Sequence, residues 1–391
     1  MSRRAAREPT VLTRAEARRW LIGHLGLAQP QPLPGAAGVR ALLQELRCIQ
    51  LDPLDPMGTN ADLVALARVD GIGRGDVYRH LLPGHAFEHY AKERCLLPAS
   101  AFPYYRDSAA RRRHWWSHQE RVRRLPPRVL KAVRAQLEAH GPLTANDLDD
   151  HGSVEALDWS GWRGTARAGS MALEVLWTRC EAVVCGRSAA GKLYDVPHRA
   201  LPEVHAAEAG DFARWAIVER AHAAGLLPRN QGPQWSLLRD ARTGPLPERL
   251  VREGVLEDVT IEGLPARYLA PAGFRDRMPQ APVYDDRVRI LGPLDPLLWD
   301  RKLVRHIFDF DYLWEVYKPA SKRRWGWYVH PLLHGERFVG RLEGRIRDGA
   351  LVIERLWRED GVRLPVRALG QALARHAAAC GVSLAPGWKG L

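Results

Sequence analysis

Three features predict an α+β fold: tandem winged-helix domains, three in number, followed by a C-terminal antiparallel β-rich or barrel domain. Twice in the middle of the chain a set of helical stretches runs into a β-hairpin, the order of a winged helix. Beyond Pro271, short alternating apolar runs are separated by glycine turns such as Asp348-Gly349, as in an antiparallel sheet. A hydrophobic content of 46% over 391 residues is enough for several domains with a sizeable core.

The elements follow in order. Thr13-Arg14-Ala15-Glu16 is a capping box, in which a hydroxyl and a carboxylate satisfy the free amides of a helix start. Ala17, Trp20, Leu21, His24 and Leu25 mark one face of that helix, which makes His24 a packed histidine. Residues 29–38, rich in Pro and Gly, form a loop, and Val39, Leu42, Leu43 and Leu46 are the apolar face of the next helix. An extended segment, Cys48 to Pro56, comes next, and Asn60 caps a helix over 61–68. Gly71-Ile72-Gly73-Arg74-Gly75 lacks the Gly-Lys-Ser/Thr ending of a phosphate loop and is a turn. Residues 85–98 read as a helix carrying His85, Glu88, His89, Lys92 and Glu93. Its histidines stand four apart, but the order is not His-Glu-x-x-His and no third ligand follows, so no metal is expected.

The first repeat places helices at 126–140 (striped by Val129, Val133 and Leu137), from 141–144 onward and at 172–180. Its hairpin arms are 182–186 and 192–196. The second has helices at 212–224 and 247–253, then arms at 255–259 and 267–269 about a Glu262-Gly263 turn. The segment around Gln50 is a third, more divergent copy. Strands are expected at 288–291, 313–317, 325–333, 337–347 and 350–358, with a closing amphipathic helix over 366–380. The domain boundaries that result are 8–124, 125–205, 206–275 and 276–391.

Composition narrows the partners. Fifty-eight Lys and Arg against 45 Asp and Glu give a net charge of +13, suited to nucleic acid or an acidic membrane surface. A high-GC bias towards Arg, Ala, Gly and Pro accounts for part of that excess. The five cysteines are odd in number and contain no Cys-x-x-Cys pair, which argues against a disulfide framework and a zinc site. The basic residues 1–7 are not followed by an apolar core, and no apolar run reaches transmembrane length. A reduced cytoplasmic location, without membrane association, is the expectation.

Gln50 and Asp52 alternate with Ile49, Leu51 and Leu54, so an extended backbone puts the amide and the carboxylate on one face. A carboxylate can hold and activate a water, and an amide can orient it or a substrate. The competing reading makes Asp52 and Asp55 turn residues before prolines. Two stretches mix cations with aromatics: Arg111-Arg112-Arg113-His114-Trp115-Trp116 with Arg121 to Arg124, and Lys322-Arg323-Arg324-Trp325-Gly326-Trp327-Tyr328. Each is a candidate nucleic-acid contact, with a solvated basic face as the alternative.

Several segments together resemble the YcaQ-type winged-helix DNA glycosylases, which remove alkylated and crosslinked purines. They are Ile49-Gln50-Leu51-Asp52, Tyr90-Ala91-Lys92-Glu93-Arg94-Cys95-Leu96-Leu97-Pro98, Ser160-Gly161-Trp162, and Lys192-Leu193-Tyr194-Asp195 with His198-Arg199-Ala200-Leu201-Pro202. The longest match joins Leu294-Asp295-Pro296-Leu297-Leu298-Trp299-Asp300-Arg301 through Phe308-Asp309-Phe310 to the 322–328 run. Two departures stand out. Lys92 replaces a histidine common in the family, and Pro53 follows the carboxylate where a hydroxyl residue is usual.

The resemblance implies three winged-helix units around a DNA channel and a monofunctional glycosylase, monomeric and nucleoid-associated. It would act on double-stranded DNA carrying alkylation or crosslink damage, with Gln50 and Asp52 catalytic and no cofactor. The Lys322–Tyr328 side chains and Arg111, Arg112 and Arg113 would contact DNA. A non-catalytic winged-helix regulator is the alternative; it explains the charge and the repeat but gives no reason for Gln50 and Asp52 to share a face. A nuclease would want a larger carboxylate cluster for metal ions.

Overall fold

The computed structural model describes residues 8–111, 115–157, 164–230, 232–278 and 283–390. They divide into two compact units, one of residues 8–77, 90–95 and 216–390, the other of residues 78–89 and 96–215. Arg112, Arg113 and the Ser160-Gly161-Trp162 segment lie outside the described residues.

The first unit opens with the helix Arg14–His24, and both halves of the Thr13/Glu16 capping box are made. The helix Gly35–Leu46 buries Val39, Leu42, Leu43 and Leu46, and stops at Arg47, which is left-handed with φ 61°. A four-stranded sheet runs in the order Thr10–Leu12, Leu256–Ile261, Leu264–Pro271, Leu227–Pro228; the first pair is parallel, with Thr10 opposite Val259. A five-stranded sheet runs Val288–Ile290, Val329–His334, Arg337–Arg347, Ala350–Arg358, Ser383–Leu384, antiparallel except for its last pair.

The helix Val366–Ala379 covers that second sheet, packing Leu369, Ala372 and Leu373 against Ile290, Leu332, Leu342 and Leu351. Met57 belongs to the same core, fully buried. Its carbonyl accepts from His376 Nε2 at 2.6 Å, and the neighbouring Pro56 carbonyl accepts from the Ile346 N–H at 2.8 Å. The segment carrying Gln50 and Asp52 is thereby fastened, a few residues downstream, to the C-terminal sheet and helix.

In the second unit the helix Pro127–His140 buries Val129, Val133 and Leu137, the stripe read from the sequence. The helix Ala168–Thr178 and the hairpin Val183–Ser188/Gly191–Asp195 follow. Glu88 is buried in this unit and paired with Arg187 and with Lys192, the latter at 3.2 Å.

Four local expectations are corrected. Residues 85–98 form not a helix but the hairpin arms Ala86–Ala91 and Glu93–Pro98. Both faces of the first arm are largely buried, which hides the two-residue period, and Glu93 turns the chain at φ 56°. Residues 141–144 start no helix. Leu143 instead pairs with Tyr194 through two backbone hydrogen bonds, and Thr144 closes a turn onto Asp147. Residues 313–317 are not a strand, because the Glu315 side chain turns inward to receive backbone amides from further along the chain. Finally, Thr59, not Asn60, caps the helix Asn60–Leu66, forming a box with Asp62 and leaving the fully buried Asn60 free for another task.

Candidate functional site

Gln50 ends the short strand Ile49–Gln50, and Asp52 follows just beyond it. This strand belongs to a three-stranded sheet with the two hairpin arms, and the Leu51 N–H donates to the Arg94 carbonyl at 2.8 Å. Both polar side chains are buried, with Gln50 5% and Asp52 8% exposed. Each has partners from distant parts of the first unit.

Asp52 Oδ1 accepts from the Leu54 N–H at 2.9 Å, the local turn bond that a pre-proline aspartate makes. Its Oδ2 accepts from the Tyr328 hydroxyl at 3.4 Å. Burial pushes the Asp52 carboxyl above its ordinary range, and the two donors pull it partly back. The Tyr328 phenol is fully buried; burial, reinforced by the Asp52 charge, holds it well above its ordinary pKa, so it stays a proton donor.

Gln50 is held at both ends. Its carbonyl accepts from Asn60 Nδ2 at 2.8 Å, while Asn60 Oδ1 accepts from the Leu294 N–H at 3.1 Å. A Cβ at Gly292 would stand 2.5 Å from Asn60 Oδ1, so this approach requires glycine there. The side-chain oxygen of Gln50 accepts from Lys92 Nζ at 2.6 Å. Lys92 stands at the hairpin tip, its Nζ 5.4 Å from the centre of the Trp299 ring, and burial lowers its pKa.

The Leu294–Arg301 stretch, conspicuous in the sequence, is supporting structure. Asp295 makes a two-point ion pair with Arg68 at 2.7 and 3.0 Å, both side chains fully buried. Trp299 Nε1 donates to the Leu294 carbonyl at 3.0 Å.

The run from Lys322 to Tyr328 is wound around two buried carboxylates. Glu315 takes the N–H groups of Arg324 and Trp325 at 3.0 and 2.8 Å; Glu343 takes those of Trp327 and Tyr328 at 2.6 and 3.2 Å. Burial opposes ionisation of Glu315, but Lys318 and the two N–H groups outweigh it and keep its carboxyl below the ordinary range. A Cβ at Gly326 would sit 2.5 Å from the Glu343 carboxylate, so a side chain there would push that carboxylate off the amides it receives. Lys322 and Arg324 are exposed, Arg323, Trp325 and Trp327 half-buried, and Tyr328 faces inward to Asp52. Trp325 stacks on the Arg341 guanidinium at 4.2 Å. Arg111 is exposed at the end of the helix Phe102–Arg111 in the other unit.

Two cavities adjoin the partners of the motif. One of about 820 Å³ is lined by Lys92, Tyr268, Trp299 and Arg301 among others; one of about 280 Å³ is lined by Asp55, Trp327, Tyr328 and Glu343. Gln50 and Asp52 themselves line neither, and meet them through Lys92 and Tyr328 respectively. Among the described residues, no group of three or more His, Cys, Asp or Glu is placed to hold a metal ion, and no helix is long and apolar enough to cross a membrane. Sequence reasoning singled out Gln50 and Asp52, but took Asn60 only for a helix cap and gave no role to Tyr328 beyond the aromatic run, nor to Lys92. The one signal for Lys92 was its place in a family-like segment where histidine is common.

The chain is similar to known proteins in family and in fold. A family model described as "DNA glycosylase AlkZ-like" matches residues 43–379. Among solved structures, the Streptomyces sahachiroi DNA glycosylase AlkZ superposes with a TM-score of 0.60 at 19% sequence identity, over 96% of this chain and 99% of that one.

Proposed function

We propose that this chain, which belongs to the AlkZ-like DNA glycosylase family, is a monofunctional glycosylase that hydrolyses the N-glycosidic bond of alkylated purines in double-stranded DNA. Its substrates are N7-alkylguanine and interstrand crosslinks. N7-alkylguanine is cationic and leaves as a neutral base, so acid catalysis is not the main requirement. The demand is for an anion beside the sugar as positive charge develops there, and for a water delivered to the anomeric carbon.

Asp52 meets both needs. As a carboxylate it stabilises the oxocarbenium-like sugar and takes a proton from the attacking water. Gln50 orients that water or the nucleotide. The observation that carries this reading is one extended segment holding a buried carboxylate two residues from a buried amide, each fixed by its own distant donor. No Schiff-base lysine is needed for base release by water.

On this reading the exposed cations Lys322 and Arg324 and the half-buried Arg323, with Trp325, Trp327 and the basic stretch at Arg111, Arg112 and Arg113, contact DNA. Tyr328 instead serves Asp52. The helices and hairpin of the second unit, and those around Leu256–Pro271, are read as winged helices. The Gln50 segment is read as a third, and the protein as a monomer working at the nucleoid in the cytoplasm.

The test is base release from a duplex carrying one N7-alkylguanine, in chelator, by the native chain and Asp52→Asn. Release is expected from the native chain and a fall of at least about a hundredfold in the variant, with duplex binding kept. Release that survives the substitution, or tight binding without any release, would overturn the reading; the latter would favour a regulator.

A further inference from the structure

Lys92 is a buried cation in contact with the proposed catalytic motif, and no step above employs it. Its Nζ donates to Gln50 Oε1 at 2.6 Å and lies over Trp299, and the residue is 6% exposed. Among the described residues no carboxylate lies within ion-pair distance of it. The ammonium is thus supported by a neutral amide oxygen and a ring face, an arrangement that gives the Gln50 contact unusual weight.

The two ends of a glutamine amide are almost equal in size, so packing alone distinguishes poorly between them. A charged donor does distinguish: turning the amide over would set its NH2 against the ammonium. Asn60 already fixes the backbone of Gln50. With Lys92 the side chain is fixed as well, oxygen inward.

We propose that Lys92 is a positioning residue that acts through Gln50, locking the amide so that it offers N–H donors, and not its oxygen, to the reacting centre. The group facing Gln50 is then a hydrogen-bond acceptor: the lone pair of the attacking water, or a sugar or phosphate oxygen. If the acceptor is the water, its protons are left for Asp52. Burial of the ammonium lowers its pKa, which sets an alkaline limit to the lock. This inference rests on the glycosylase reading for its consequence in catalysis, but the lock itself can be observed without turnover.

The experiment uses the full chain labelled with 15N-glutamine, the Gln50 side-chain signals being assigned by their absence in Gln50→Ala. Lys92→Met should shift those signals and weaken their protection from hydrogen exchange, and Lys92→Arg should largely restore both. In single-turnover base release, Lys92→Met should lose about 10- to 100-fold while duplex binding stays within about twofold. The double variant Lys92→Met/Gln50→Ala should be no slower than Gln50→Ala alone.

Unshifted Gln50 signals in Lys92→Met, or losses that multiply in the double variant, would overturn the inference. Should Lys92→Met fail to fold, the native chain decides. Its Gln50 signals should follow the titration of the Lys92 ε-carbon, and signals indifferent to that titration would overturn it. If the native chain releases no base, the glycosylase reading falls, while the spectra still decide whether Lys92 orients Gln50.

Discussion

At 8% exposure, with one backbone N–H and one tyrosine hydroxyl as its donors, the charged form of Asp52 is held away from water and supported by neutral groups alone. Its folded pKa is raised. The contribution of this group to stability is therefore present below the ordinary carboxyl pKa and is lost as pH rises through the raised value. Asp52→Asn, which removes the buried charge and keeps the shape, should melt at a higher temperature than the native chain at pH 7. The gap should close towards pH 4; equal melting temperatures at pH 7 would contradict it. Base release should decline in acid as the same carboxyl takes its proton.

What the sequence made legible at this scale was the alternation that pairs Gln50 with Asp52. Their partners were not legible, since Lys92 and Tyr328 lie 42 and 276 positions away, and no local period encodes such contacts.

Between elements, the bond that holds the motif's surroundings together is Arg68–Asp295, from the end of one short helix to the turn before Trp299. Both groups are fully buried, so removing one strands the other. Arg68→Met should destabilise the chain by about 3–5 kcal/mol in denaturant unfolding. The exposed pair Arg14–Asp309, despite its 2.6 Å separation, should cost less than about 1 kcal/mol when Arg14 becomes Ala. Equal losses would mean that burial does not set the difference.

Element type was legible where one face is wet and one dry. The helix Pro127–His140 and the hairpin about Glu262-Gly263 follow their patterns. It was illegible in the arms Ala86–Ala91 and Glu93–Pro98, where burial on both faces leaves histidines and glutamates at spacings that also suit a helix. The stretch 313–317 misled for a related reason: its Leu, Trp, Val and Tyr suit a strand, but the buried carboxylate of Glu315 is spent on the 324–325 amides.

Across the larger unit, four histidines are held neutral: His330 and His376, which are buried, and His24 and His222, which are half-buried. Burial lowers His24 and His222 to about 4 and His330 to about 3, and also lowers His376. Depressed pKa values stabilise the fold above the ordinary histidine pKa, and that contribution is lost as pH falls through the folded values. Melting temperature should therefore drop from about pH 6.5 towards pH 4, with net proton uptake on unfolding measured by calorimetry in two buffers. Asp52, Asp62 and Glu219, whose pKa values are raised by burial, act in the opposite sense at the acid end and should blunt the fall. A flat profile over this window would show that these histidines gain protons without unfolding. The mixed α+β character was legible at this scale; the division into two units was not, because the first gathers three separated pieces of chain.

The hydroxyl that holds Asp52 is encoded 276 residues after it. During synthesis at about 5–20 residues per second, the motif exists for roughly 15–55 s before its tyrosine leaves the ribosome. A nascent chain or a prematurely released fragment thus carries Gln50 and Asp52 without the finished centre. If Asp52 carries base release as proposed, that ability arrives only near the end of translation, because the chain must be almost complete before its carboxylate gains this partner.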